Sequence, residues 1–194
     1  MTRSIDFYFD FISPYSYLAH KQIEIIRERE NINFNYKPVL VGGLHNLFGI
    51  NAPAFIKPKL KHMINDCNLI AKKNSFAFMW NSKFPLNSLN IMRGYLFVNN
   101  NVKSLFMNVI FDAYWRDNLD VLNEKILTSL LKKCKIDIDS FYKGIKNSKI
   151  KDELKSVTQV AHEKEIFGTP TFVVNSKIFW GQDRLEFALD EYSK

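Results

Sequence analysis

The sequence predicts an α/β fold in which a long helical block interrupts a small sheet. Three observations lead there: an aromatic strand that runs at once into a helix near the start, a hairpin followed by a helix at the end, and helical spacing through most of what lies between. Each element has its own local reason.

The run Ile5-Asp6-Phe7-Tyr8-Phe9-Asp10-Phe11-Ile12 is dense in aromatic residues, and residues 5 to 11 read as the first strand. Residues 14 to 30 read as a helix, because Tyr15, Leu18, Ala19, Ile23 and Ile26 fall on one face and the segment closes in Arg27-Glu28-Arg29-Glu30. Residues 32 to 40 then alternate as a second strand, with Pro38 near its end, as suits a strand terminus or an edge. Strand, helix and strand in that order form a right-handed crossover.

After Gly42-Gly43 the chain becomes rich in Asn, Lys and Phe with helical spacing, punctuated by Pro53, Pro58, Pro85 and Asn99-Asn100-Asn101. Phe106, Val109, Ile110 and Ala113 form one apolar face, and Ile126, Leu127, Leu130 and Leu131 another, so several amphipathic helices should pack together. Thr171 to Val174, the turn Asn175-Ser176 and Lys177 to Trp180 read as a hairpin. Leu185, Phe187, Ala188 and Leu189 mark a closing helix from Asp183 to Tyr192. The elements describe a thioredoxin-like fold with an inserted all-helical domain, residues 1–42 and 160–194 forming the discontinuous thioredoxin-like domain and residues 43–159 the insertion.

A chain of 194 residues with 46% hydrophobic and 14% aromatic content can bury a substantial core. No run approaches the ~18 apolar residues of a membrane span, and Met1-Thr2-Arg3-Ser4 leads into a strand without the apolar segment of a signal peptide, so no membrane association and a cytoplasmic location are expected. The net charge of +7 arises from 27 Lys and Arg against 20 Asp and Glu spread over several segments. No nucleic-acid motif accompanies them, so no nucleic-acid partner is expected, and a small anionic ligand is compatible. Cys67 and Cys134 are the only cysteines. They and the four histidines lack metal-ligand spacing, which leaves no metal site and buried structural thiols as the expectation.

Chemistry is suggested at Ser13-Pro14-Tyr15-Ser16, where the first strand meets the first helix. The positive end of a helix dipole stabilises a thiolate, which is why cysteines serve at such junctions. Here serines hold that spacing, so a thiol would have to arrive on a ligand. Ser followed by Pro is also what an ordinary helix start takes. The second signal is Phe167-Gly168-Thr169-Pro170-Thr171-Phe172, immediately before the hairpin. A cis bond ahead of Pro170 would offer the backbone of Thr169 to a peptide-like ligand, whereas a trans proline before a strand would do nothing special.

Ser-Pro-Tyr-Ser, Phe-Gly-Thr-Pro-Thr and Phe179-Trp180-Gly181-Gln182-Asp183-Arg184-Leu185, in this order, resemble the 2-hydroxychromene-2-carboxylate isomerases and the related kappa-class glutathione transferases, within the DsbA-like branch of the thioredoxin superfamily. The resemblance spans nearly the whole chain and is strongest in residues 5–19 and 166–186. It implies glutathione as cofactor and Ser13 as the catalytic serine holding its sulfur. Thr169, ahead of Pro170, would pair through its backbone with the cysteinyl part, and Trp180, Gly181, Gln182 and Asp183 would grip the γ-glutamyl end, Asp183 meeting the ammonium. Family members commonly carry Asn at the position of Gln182.

Asn51 and Lys59 resemble positions that contact glutathione or the substrate carboxylate, and Asn87 resembles a substrate contact; a turn Asn, a solvated Lys and a loop Asn are the ordinary readings. The implied activity is isomerisation of 2-hydroxychromene-2-carboxylate or a similar unsaturated aromatic acid by addition and expulsion of the glutathione thiolate. A kappa-type transferase acting on a small electrophile is the nearest alternative, and a non-catalytic glutathione-binding or chaperone-like module the next. Relatives are often dimers, so a homodimer is the implied assembly.

Overall fold

The computed structural model describes residues 3–30 and 32–194; Met1 and Thr2, the expected lead into the first strand, lie outside the described residues, as does Asn31. The sheet contains β1 (Ile5–Phe9), β2 (Phe34–Pro38), β3 (Thr171–Val174) and β4 (Lys177–Trp180) in the order β2-β1-β3-β4. β1 pairs parallel with β2 and antiparallel with β3, placing Phe7 between Tyr36 and Phe172. α1 (Pro14–Arg29) is the crossover between β1 and β2.

Side chains alternate across the sheet with period two, and β1 uses both faces. Ile5, Phe7 and Phe9 enter the main core, where Phe7 stacks on Phe172 at 5.3 Å between ring centroids and Phe9 meets Tyr95 edge-on at 5.1 Å. Tyr8 points to the other face and joins Val39, Leu44, Ala161 and Ile166 in a second cluster. That second face is covered by α2 (Val41–Phe48) and α8 (Ser148–Glu163), whose Thr158 hydroxyl oxygen accepts the Leu40 N–H at 3.1 Å.

Between α2 and α8 come a 3-10 turn at Pro53–Phe55, α3 (Lys57–Lys73), α4 (Leu89–Phe97), α5 (Asn100–Trp115), α6 (Glu124–Lys133) and α7 (Ile138–Gly144). α5 supplies Phe106, Ile110, Phe111 and Trp115 to the same cluster as β1, and the Trp115 indole donates to the Phe11 carbonyl at 2.9 Å. Tyr114 and Trp115 are core aromatics, while Trp80 is partly buried against Phe84 and Trp115. Both cysteines are buried and free, and burial pushes the Cys134 thiol up to about 11. Among the described residues no helix is long and apolar enough to cross a membrane.

The elements differ from the sequence expectation at their ends, for identifiable reasons. β1 stops at Phe9 because Asp10 turns the chain, its carbonyl accepting the Ser13 N–H at 3.0 Å. β2 ends at Pro38, and Leu40 already serves as the N-cap of α2, so Gly42-Gly43 lies inside a helix instead of ahead of one. The closing helix α9 (Leu185–Tyr192) begins after a 3-10 turn at Gln182–Arg184, which places Asp183 before the helix.

Gly94 of α4 faces the rings of the inserted helices: a Cβ there would lie 2.5 Å from Phe141 Cζ and 3.3 Å from Phe106 Cζ. Overpacking costs about 1–3 kcal/mol, and the better helix propensity of alanine returns about 1 kcal/mol. Gly94→Ala should therefore lower the unfolding free energy by up to about 2 kcal/mol in urea titrations, and a raised midpoint would mean that the buried Phe141 ring moves aside freely.

Candidate functional site

Ser13 is the N-cap of α1, with φ −81° and ψ 114°. Its Oγ accepts the Ser16 N–H at 3.1 Å, and the Pro14 ring occupies the first turn, where an N–H would have no partner. The hydroxyl proton goes elsewhere: Ser13 Oγ donates to the Thr169 carbonyl at 3.0 Å, joining residues 156 positions apart. Both residues are nearly closed to solvent, with 8% and 9% of their surface exposed. The Thr169-Pro170 peptide is cis, and so is Phe84-Pro85.

The segment carrying Thr169 is held from both sides. Thr171 Oγ1 donates to the Gly168 carbonyl at 2.7 Å, and the Gly181 N–H donates to the Pro170 carbonyl at 3.0 Å. Gly168 has no room for a side chain, since a Cβ would sit 2.8 Å from the Trp180 indole nitrogen. Gly181 has φ +110°, a conformation that L residues avoid. Trp180 and Phe167 lie against each other at 4.8 Å, and both rings remain partly exposed.

Thr169 is thus held against Ser13, Pro170 follows it, and Gly181 is bonded to Pro170, while Gln182 meets α1 further along its length. Gln182 is tied to that helix directly, its side-chain carbonyl accepting from Gln22 Nε2 at 2.8 Å. Asp183 follows on the surface, paired with Arg184 at 2.8 Å. Lys59 stands exposed in the first turn of α3, which is fastened to α1 by the Tyr15 hydroxyl donating to Asp66 at 2.8 Å, and Asn51 is exposed in the loop before the 3-10 turn at Pro53–Phe55. Asn87 caps the approach to α4 through the Leu89 N–H at 3.1 Å and lines a cavity of about 310 Å³ with Ile91, Glu124 and Tyr142. Among the described residues no hydrogen bond joins Asn51, Lys59 or Asn87 to the Ser13–Thr169 pair.

Asp10 shapes the site although sequence reasoning passes over it. Its carboxylate is fully buried and accepts the Ile12 N–H at 3.1 Å and the Val41 N–H at 2.9 Å. Burial raises its pKa to about 6, held from going higher by the backbone N–H of Val41, the Ser88 hydroxyl and the Ile12 N–H. An acid set between two phenylalanines at the end of an aromatic run was the available signal. Gln22 is the other unflagged contributor, and nothing in a helical glutamine announces it.

A serine-capped helix start meeting a cis-proline loop at one end of two adjacent strands defines a thioredoxin-type site in which hydroxyls stand where that chemistry uses sulfur. The family model of the DSBA-like thioredoxin domain matches residues 4–193, and the chain belongs to that family. It is 27% identical over 194 residues to 2-hydroxychromene-2-carboxylate isomerase of Sphingobium xenophagum, covering 99% of this chain and 98% of that protein. It is 24% identical to human glutathione S-transferase kappa 1, covering 96% of this chain and 89% of that protein. A solved 2-hydroxychromene-2-carboxylate isomerase shares the fold with a TM-score of 0.89 at 22% identity, covering 97% of this chain and 94% of that one.

Asp10 and His20 give the site region a pH signature with opposite signs. An acid whose folded pKa is raised from 3.8 to about 6 binds more protons folded than unfolded, so the stability it contributes falls as pH rises from about 4 to about 6. Burial holds the His20 imidazole below its ordinary 6.5, so its contribution grows as pH rises toward that value. Urea unfolding of Asp10→Asn across this range should show stability rising more steeply with pH than in the wild type. Parallel curves would mean that Asp10 does not titrate there.

Proposed function

We propose that this protein is a glutathione-dependent enzyme that isomerises 2-hydroxychromene-2-carboxylate or a similar unsaturated aromatic acid. The observation that carries the reading is the Ser13–Thr169 pair at the start of α1. The first turn of that helix holds no acidic residue, so none of its own side chains competes for the positive end of the dipole. A hydroxyl donor at such a point favours a sulfur anion over the thiol. The residues fit a ligand of this kind: among the described residues the buried Ser16 hydroxyl, beside Ser13, has no hydrogen-bond partner, leaving donor capacity unused.

When bound, glutathione supplies a nucleophilic thiolate that can add to a conjugated carbon and later leave, so that it is not consumed. Ser13 would hold the sulfur through its hydroxyl, and Thr169 would offer its main chain to the cysteinyl portion. Trp180, Gly181 and Gln182 would receive the γ-glutamyl end. Asp183 would take the ammonium; its exposed pairing with Arg184 is worth about 0–1 kcal/mol and is readily exchanged. Lys59 and Asn51 would meet a carboxylate, and Asn87 the aromatic substrate. A cytoplasmic location and a homodimer belong to the same proposal.

A kappa-type transferase is the second reading, favoured by the 24% identity to the human kappa enzyme over nearly the whole chain. It would use the same serine to conjugate glutathione to an electrophile.

Following 2-hydroxychromene-2-carboxylate spectroscopically with and without glutathione separates these readings. Isomerisation that requires glutathione and leaves its concentration unchanged is expected, and Ser13→Ala should slow it by roughly 100-fold or more, as for loss of a hydroxyl that stabilises an anion. Net consumption of glutathione into an adduct would favour the transferase, and equal rates without it would sink both. Asp183→Asn should raise the glutathione half-saturation about fivefold while turnover at saturation is kept, the pattern of a contact equal in ground and transition states. An unchanged half-saturation would remove Asp183 from the site.

A further inference from the structure

We infer that Thr169 holds the Ser13 proton in reserve, and that the site releases it only to a thiol whose ligand also brings an amide N–H to the Thr169 carbonyl. The inference rests on the glutathione reading above. A serine hydroxyl has one proton to donate. Here it is committed, since Ser13 Oγ donates to the Thr169 carbonyl at 3.0 Å while accepting the Ser16 N–H at 3.1 Å. The directions are fixed by chemistry: a carbonyl cannot donate and an amide N–H cannot accept.

A sulfur anion at the helix start must therefore compete with Thr169 for that proton. With Ser13 and Thr169 only 8% and 9% exposed, water is poorly placed to replace the lost bond, and a buried carbonyl left without a donor is costly. A ligand amide N–H changes the balance. When it donates to the Thr169 carbonyl, as an added strand would, the carbonyl keeps a partner and the hydroxyl can turn to the sulfur. The thiol proton passes to water, the thiolate takes the hydrogen bond from Ser13, and no covalent bond to the protein forms or breaks.

Thiolate formation is in this way coupled to recognition of a peptide. The site ionises peptide thiols whose cysteine nitrogen carries hydrogen, and it leaves simple thiols such as 2-mercaptoethanol largely protonated. Selection therefore operates on ionisation as well as on affinity. The unpartnered Thr169 hydroxyl is a separate donor and takes no part, because the exchange uses the main-chain carbonyl alone.

The test compares glutathione with its ester analogue, in which the cysteine nitrogen is replaced by oxygen, reading the thiolate by ultraviolet absorbance at saturation and fixed pH. Relative to the free ligands, bound glutathione should show a thiolate-to-thiol ratio roughly tenfold above that of the bound ester. Ser13→Ala should abolish the difference, and Thr169→Val, which keeps the carbonyl, should preserve it. Equal ionisation of the two bound ligands in the wild type, or a difference that survives Ser13→Ala, overturns the inference while leaving glutathione binding intact. Failure of glutathione itself to bind at millimolar concentration overturns the functional reading and this inference together.

Discussion

Asp10 is sealed from solvent and gives one carboxylate oxygen to the Ile12 N–H and the other to the Val41 N–H, at 3.1 and 2.9 Å. An ionised carboxylate without a cation is expensive to bury, and its raised pKa records that cost. The return is positional. Its carbonyl takes the Ser13 N–H, its side chain fixes the loop before Ser13 and the start of α2, and the Ser88 hydroxyl links it to the start of α4. Three chain segments converge on one residue, and the serine at the head of α1 inherits its place from them.

The aromatic faces of the sheet make that place rigid. Phe7, Phe9 and Phe11 of the β1 region meet Phe172, Tyr95 and Phe111 at 5.3, 5.1 and 4.8 Å, so β1 is locked to β3 on one side and to the inserted helices on the other. Tyr8 anchors the opposite face beneath α2 and α8. β1 delivers Ser13 at its end and β3 follows directly from Thr169-Pro170-Thr171, so the antiparallel pairing of the two strands brings the hydroxyl and the carbonyl together. The hydrogen bond between them is a consequence of sheet register, although neither residue forms part of a strand.

Much of this is legible in the sequence because its cause is local. Ser13-Pro14 specifies a helix start through the chemistry of capping, Asn175-Ser176 supplies two positive-φ residues for the hairpin turn, and the aromatic density of residues 5 to 11 marks β1. The joint appearance of Ser-Pro-Tyr-Ser and Phe-Gly-Thr-Pro-Thr brings the two halves of the site into view. The role of Asp10 is not legible, because the same acid in an exposed turn would be unremarkable and its partners lie at residues 41 and 88. Nor is that of Gln22, whose contact with Gln182 spans 160 positions.

The sequence by itself determined the order of elements, the strand-helix junction with its serine and the glycines that later admit Trp180 and the turn at Gly181. Those depend on conformational preferences within a few residues. Only the tertiary structure decided that the Ser13 proton is already spent on Thr169, that a buried carboxylate sets the junction, and that Asn87 lines a cavity among the inserted helices. Such facts depend on which groups long-range packing leaves beside one another, and on which of them it deprives of water.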